Sequence, residues 1–232
     1  MPSVNKTYQT RHAPVKEALS VVTNGDTHVP KFRCIYADPP WRFINRTGKM
    51  APEHRRLHRY RTMTLEEICA LPVRDIAAEP SHLYLWVPNA LLAHGLDVMK
   101  AWGFSYKCNL VWYKIRKDRG PDGRGVGFYF RNVTELLLFG VRGSMRTLKP
   151  GRRMVNIISS QKREHSRKPD EFYHVIEQCS PGPRLELFAR HHRDDWHQWG
   201  DEIHLGKYIP QKLVLERSTP TKTQPAELVL FG

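Results

Sequence analysis

Residues 31–41 read Lys-Phe-Arg-Cys-Ile-Tyr-Ala-Asp-Pro-Pro-Trp, an aromatic and β-branched run that ends abruptly in a carboxylate, two prolines and a tryptophan. The run has the composition of a buried strand, and Pro30 bounds its start. Two consecutive prolines fix two φ angles and remove two backbone donors, so a central strand cannot continue through them. The strand therefore stops at Asp38, in a rigid corner whose carbonyls have no local amide to satisfy them. Two acceptors are expected there, the Asp38 carboxylate and the Pro39 carbonyl, beside the face of Trp41. The exocyclic amino group of a flipped adenine would bring two N–H donors to them and a ring to stack on the indole. Such an amine is a poor nucleophile, because its lone pair is delocalised into the ring. Accepting hydrogen bonds from both N–H groups favours the tetrahedral nitrogen that develops as it attacks a methyl sulfonium, and alignment of the two reactants supplies most of the rest. Asp38, Pro39, Pro40 and Trp41 are the candidate catalytic residues on this reading. A buried strand that merely turns at a Pro-Pro corner, with the tryptophan as core, is the alternative.

Charge points the same way. With 232 residues the chain has room for one α/β domain, and its formal net charge of +14 calls for a polyanionic partner, nucleic acid first. An anionic membrane surface is the rival, but there is no long apolar segment or lipidation motif, and Met1–Arg11 lacks a signal-peptide core. Cys34, Cys69, Cys108 and Cys179 are scattered without a CxxC pair, and read as reduced thiols of a cytoplasmic protein.

Along the chain, residues 1–29 are polar and weakly patterned, an N-terminal arm. The corner leads into a basic stretch, Arg42 to Arg61, whose Arg55, Arg56 and Arg59 are candidate phosphate contacts. Thr64-Leu65-Glu66-Glu67 reads as a capping box opening a short helix. Strands are expected over 81–87, 104–113, 134–141, 155–159 and 184–189. Between the first two, Asn89 to Trp102 has helical spacing at Leu92, Leu96 and Met99. This alternation predicts a mostly parallel sheet flanked by helices. Gly123, Gly125 and Gly127 precede Phe128-Tyr129-Phe130 and not a helix, so they make a loop and not a dinucleotide cradle. Pro169 suits the first turn of a helix running to about Cys179, and Lys168 beside that N-terminus makes a seat for a carboxylate. His191, His192 and His197 have no carboxylate or cysteine at a familiar ligand spacing, so no metal is expected. Residues 30–203 form the ordered domain and 204–232 a C-terminal tail.

DPPW at 38–41, SHLYLWVPN at 81–89, NVTELLLFGVRG at 132–143, HSRKPDEFYHVIEQ at 165–178 and LELFAR at 185–190 occur in one order. In that order they resemble the family of the eukaryotic messenger-RNA adenosine methyltransferase catalytic subunit and its smaller bacterial and phage relatives. The resemblance implies a Rossmann-like three-layer α/β fold with circularly permuted motifs, and S-adenosylmethionine as cofactor. It implies that Asp38 serves both the target amine and the cofactor, and that Lys168 meets the methionine carboxylate. Arg190, His192 and Arg193 fall near the ribose, and Asp201 and Glu202 near the cofactor adenosine. Eukaryotic members carry asparagine at the position of Arg193 and Asn-Gln at that of Asp201-Glu202; the acidic pair still offers acceptors. Arg131, Asn132 and Glu135 complete the candidate substrate contacts. The expected reaction is methylation of the 6-amino group of adenine, in DNA by preference, with RNA the first alternative and an inactive nucleic-acid-binding subunit the second. Monomer and homodimer both remain open.

Overall fold

The computed structural model describes residues 31–42, 62–123, 129–163 and 167–200. Seven strands form one sheet: β1 Phe32–Ala37, β2 Ala77–Val87, β3 Ser105–Ile115, β4 Thr134–Arg142, β5 Ile157–Gln161, β6 Arg184–Leu187 and β7 Trp196–Trp199. Their order across the sheet is β5-β3-β4-β2-β1-β6-β7. β1 pairs in parallel with both β2 and β6, and β6 with β7. β4 runs antiparallel to both its neighbours, β2 and β3, so the sheet is mixed and not mostly parallel as expected. The reversal has a local cause: the described residues between β3 and β4 hold no helix, and a chain without a crossover helix returns antiparallel.

Among the described residues four α-helices cover the faces: α1 Leu65–Cys69, α2 Val73–Ile76, α3 Leu92–Ala101 and α4 Glu171–Cys179. The capping box is present, with Thr64 Oγ1 accepting from Glu67 N at 3.2 Å and Glu67 Oε2 accepting from Thr64 N at 2.8 Å. α3 ends in a Schellman turn: Gly103, at φ 83°, donates to Lys100 O, and Phe104 N donates to Met99 O. The α3 face differs from the expected one. Gly95, Val98 and Met99 are buried, whereas Leu92 and Leu96 are each 39% exposed. The strands separate two cores by simple alternation. Ile35, Leu83, Leu85, Leu185 and Leu187 pack on the side of α1–α3. Tyr36, Tyr84, Trp86 and Trp112 pack with Phe172 and Ile176 of α4. A three-layer α/β architecture results.

β1 crosses over to β2 on one side, while β6 leads to β7 on the other. The gap at the C-terminal ends of β1 and β6 is therefore a topological switch point, where open α/β sheets bind their ligands. Among the described residues, no helix is long and apolar enough to cross a membrane.

Candidate active site

Asp38 follows the last residue of β1, so the strand delivers its carboxylate to the switch point, and its N–H lies 3.5 Å from Leu187 O at the end of β6. Lys168 arrives from the segment entering α4. Its Nζ stands 2.9 Å from Asp38 Oδ2 and 3.3 Å from Glu135 Oε2. The other oxygen of Glu135 is paired with Lys114, at the far end of β3. A row of alternating charge thus runs Asp38, Lys168, Glu135, Lys114. It lies over aromatic surface, with Lys168 Nζ 5.2 Å from the Trp86 ring and Lys114 Nζ 4.9 Å from the Trp112 ring. Burial opposes the charge of Lys168, but Asp38 and Glu135 outweigh it and raise the pKa above the ordinary lysine value. Burial likewise works against the Glu135 carboxylate, and the two lysines more than reverse it, lowering its pKa.

The Pro-Pro corner is more tied down than the sequence implies. Pro39 O accepts from Trp41 N at 2.8 Å and Pro40 O accepts from Met63 N at 2.8 Å, so each carbonyl has one lone pair already engaged. Trp41 is packed into the core at 9% exposure, and its Nε1 donates to Trp86 O at 2.9 Å. Of the four corner residues, Asp38 and Pro40 are partly exposed, while Pro39 and Trp41 are buried.

On the β6 side, Phe188 takes φ 65°, a left-handed conformation unusual for a residue with a bulky side chain, and turns the chain toward Arg190. Arg190 is close enough to Lys168 for its charge to oppose that lysine's protonation. Arg193 reaches Asp170 at 3.0 Å and lies 3.8 Å over the Tyr173 ring. Asp170, next to α4, also receives Arg163 and Arg167. His192 faces outward, its Nε2 3.2 Å from Asp194 Oδ1. Arg131 and Asn132 are exposed just before β4; Arg131 donates to Gly123 O at 2.8 Å, and Asn132 Oδ1 accepts from Asn89 at 3.4 Å. Asp38, Glu135 and Lys168 are thus gathered directly, and Arg190 stands beside them. Asp201, Glu202, Arg55, Arg56 and Arg59 lie outside the described residues, as do the N-terminal arm and the tail.

Three members of the site were not among the sequence candidates. Lys114 continues the inward series Leu110, Trp112 of β3, and a lysine in a buried strand position is the signal that marks it. Glu186 is a carboxylate between Leu185 and Leu187 in β6, only 7% exposed. It accepts from Tyr173 OH at 2.6 Å and Gln198 Nε2 at 2.7 Å, and burial raises its pKa despite them. Trp86 is 1% exposed and donates to Tyr36 OH at 2.6 Å; its aromatic context made it look like core alone.

The MT-A70 family model matches residues 32–202. The chain is similar to the N(6)-adenosine-methyltransferase MT-A70-like protein of Drosophila melanogaster, 30% identical over 194 residues, which cover 82% of this chain and 30% of that protein. It is similar to the type II methyltransferase M.MunI of a Mycoplasma species, 28% identical over 192 residues, covering 75% of this chain and 78% of that one. The human N(6)-adenosine-methyltransferase catalytic subunit METTL3 is 31% identical over 177 residues, which span 75% of this chain and 28% of its own length. The chain therefore spans less than a third of these eukaryotic relatives.

Proposed function

The chain belongs to the MT-A70 family of N6-adenine methyltransferases, and from that membership we propose that it methylates the exocyclic 6-amino group of adenine in DNA, with S-adenosylmethionine as donor. The observation that carries the proposal is the Asp38–Lys168 pair, 2.9 Å apart at the switch point. A methionine moiety carries an ammonium and a carboxylate, and Asp38 and Lys168 offer one complementary charge to each. The residues present therefore fit the cofactor, and the effect of the Arg190 charge on Lys168 supports a place for Arg190 beside it, toward the ribose. Bound there, the cofactor supplies an electrophilic methyl group.

The chain's own part is positioning and electrostatics. Asp38 accepts a hydrogen bond from the target amine and favours positive charge on that nitrogen as it becomes tetrahedral. Pro39 supplies the second acceptor through its remaining lone pair. Glu135, held from behind by Lys114, fixes Lys168 so that the Asp38 carboxylate keeps one orientation. Trp41 stiffens the corner from within the core, its Nε1 donating to Trp86 O.

DNA is preferred because the alignment to M.MunI runs through 78% of that methyltransferase, against 30% or less of the adenosine methyltransferases. RNA adenosine is the second reading, supported by the names and by identities of 30% and 31%. Incubation with labelled S-adenosylmethionine and matched DNA and RNA pools, followed by nucleoside mass spectrometry, tests both. We expect N6-methyl-2′-deoxyadenosine. The ribonucleoside alone would move the substrate to RNA, and no methylated adenine from either pool would overturn the proposal.

A further inference from the structure

We infer that the end of the sheet opposite the active site is a second phosphate-binding surface, which engages the nucleic-acid backbone several nucleotides away from the target base. This rests on the reading of nucleic acid as substrate.

β1 joins the two ends. Arg33 stands near its start and Asp38 beyond its finish, five residues of extended chain or about 17 Å apart at roughly 3.3 Å per residue. Because β4 alone is reversed, its last residue, Arg142, pairs with Ser81 near the start of β2. The basic turn over 143–154 is thereby delivered to the Arg33 end, away from the site.

That turn is anchored along its length. Met145 O lies 3.4 Å from His82 Nε2, and Arg33 Nη2 is 3.6 Å from Met145 Sδ. Further on, Leu148 N donates to Cys179 O at 2.9 Å. Gly151 seats the turn so closely against Cys179 that an added Cβ would fall 2.2 Å from its Sγ.

On this frame Arg33, Arg146, Lys149, Arg152 and Arg153 are all exposed. Among the described residues none of the five is in an ion pair. Two carboxylates at this end are used elsewhere: Glu79 takes Arg142 at 3.4 Å, and Glu177 accepts from Trp196 Nε1 at 2.8 Å. Near the site, by contrast, three arginines converge on Asp170. Five uncompensated cations on a fixed frame repel one another, and a phosphate backbone is the partner that removes that repulsion.

The spacing makes the idea measurable. Successive phosphates of one strand advance about 3.4 Å along a duplex axis, so a backbone leaving Asp38 needs about five nucleotides to span the distance. The test is methylation of a nested series of duplex oligonucleotides with one target adenine and flanks from 2 to 20 nucleotides. Wild type is compared with the triple variant Arg146→Gln/Lys149→Gln/Arg153→Gln, and separately with Arg33→Gln.

For wild type we expect KM to fall once the flank exceeds about five nucleotides, with kcat constant. The triple variant should lose about tenfold of that gain, the effect of a few phosphate contacts. Its kcat, its cofactor Kd and its KM on the shortest substrate should be unchanged. The single variant, which leaves the turn intact, should lose a smaller part of the same gain. An unchanged length dependence in both variants overturns the inference, and so does a KM raised equally at every length. If wild type methylates no oligonucleotide, the functional reading has failed. Fluorescence anisotropy on the same series then decides the surface alone, since equal length dependence in wild type and variant refutes it. Binding of phosphatidylserine vesicles lost in the variant, without any length effect on DNA, would assign the surface to a membrane and overturn the inference.

Discussion

Lys168 is held between two carboxylates, and each neighbour has a different job. Removing Asp38 takes away an acceptor aimed at the amine, yet leaves Lys168 compensated by Glu135. Asp38→Ala should therefore keep its fold and lower methyl transfer by about 100-fold or more, the usual effect of losing such a preorganised contact. Near-normal turnover by a folded variant would sink the assignment. Lys168→Ala should instead weaken cofactor binding, by about 1.5–3 kcal/mol for a charge-assisted contact, with nucleic-acid affinity barely moved; calorimetry with each ligand separates the two. The same row sets part of the pH dependence. The Lys168 pKa is raised, so its contribution is complete below the unfolded lysine value and is lost as pH climbs through the folded one. The Glu135 pKa is lowered, so its contribution is present above the unfolded carboxylate value and goes as pH falls through the folded one. Neither change falls near pH 6. Histidine is the group whose unfolded value lies in that range. Fully buried, with Nδ1 2.8 Å from Ser180 Oγ, His82 is desolvated and its pKa depressed, so the unfolded chain takes up the proton first. Stability should fall as pH drops from 7 to 5, with a smaller share from His197, and His82→Gln should show a shallower slope in thermal melts. Equal slopes would assign the acid sensitivity to other groups.

Between elements, the chain just past β7 packs tightly on the turn after β6. Gly200, just past β7, lies so near the turn after β6 that an added Cβ would stand 2.1 Å from Ala189 O and 2.6 Å from Ala189 N. Neither is a side chain that can swing away. Gly200→Ala must part the two strand ends and shift Arg190 with them. We expect destabilisation of about 1–3 kcal/mol, as for other overpacked sites, together with a cofactor Kd raised well beyond what lost stability alone gives. A variant that binds cofactor normally would show that this turn is not part of the site. Such tertiary couplings were hidden from the sequence, whereas local patterns were open to it. The aromatic run before Asp38, the capping box at Thr64 and Pro169 ahead of α4 all declared their elements, because turn chemistry and alternation act over a few residues. The reversal of β4 was concealed by its own composition, since a continuous apolar run marks burial but carries no direction. β7, four residues of Trp-His-Gln-Trp, has too little apolar length to read as a strand and exists by pairing with β6. Leu92 and Leu96 misled because the face of α3 that meets the sheet is chosen by Gly95 and Met99. Lys114 and Glu186 were legible in principle, as charges in inward strand positions, but their partners come from distant segments.

At the scale of the whole molecule the excess of 14 positive charges is the dominant fact, and its worth depends on ionic strength. Each phosphate neutralised on duplex DNA releases condensed counterion, so log affinity should fall by about 0.9 per log unit of salt for every contact, and by about 0.7 on a single strand. The arginine-rich stretch that follows the Asp38 corner is the segment from which we expect the contacts nearest the target base. Arg55, Arg56 and Arg59 are within it, outside the described residues but a short chain distance from the site. Replacing all three with alanine should lower the salt slope by about 2.7 on duplex and about 2.1 on single-stranded substrate, if each meets one phosphate. KM for nucleic acid should rise, while cofactor affinity stays as it was, because Asp38 and Lys168 are untouched. The size of the change in slope thus reports strandedness as well as contact, and it is read by titrating affinity from low to moderate salt on matched duplex and single-stranded oligonucleotides. A triple variant with the wild-type slope and the wild-type KM would return these arginines to the role of keeping a basic protein in solution.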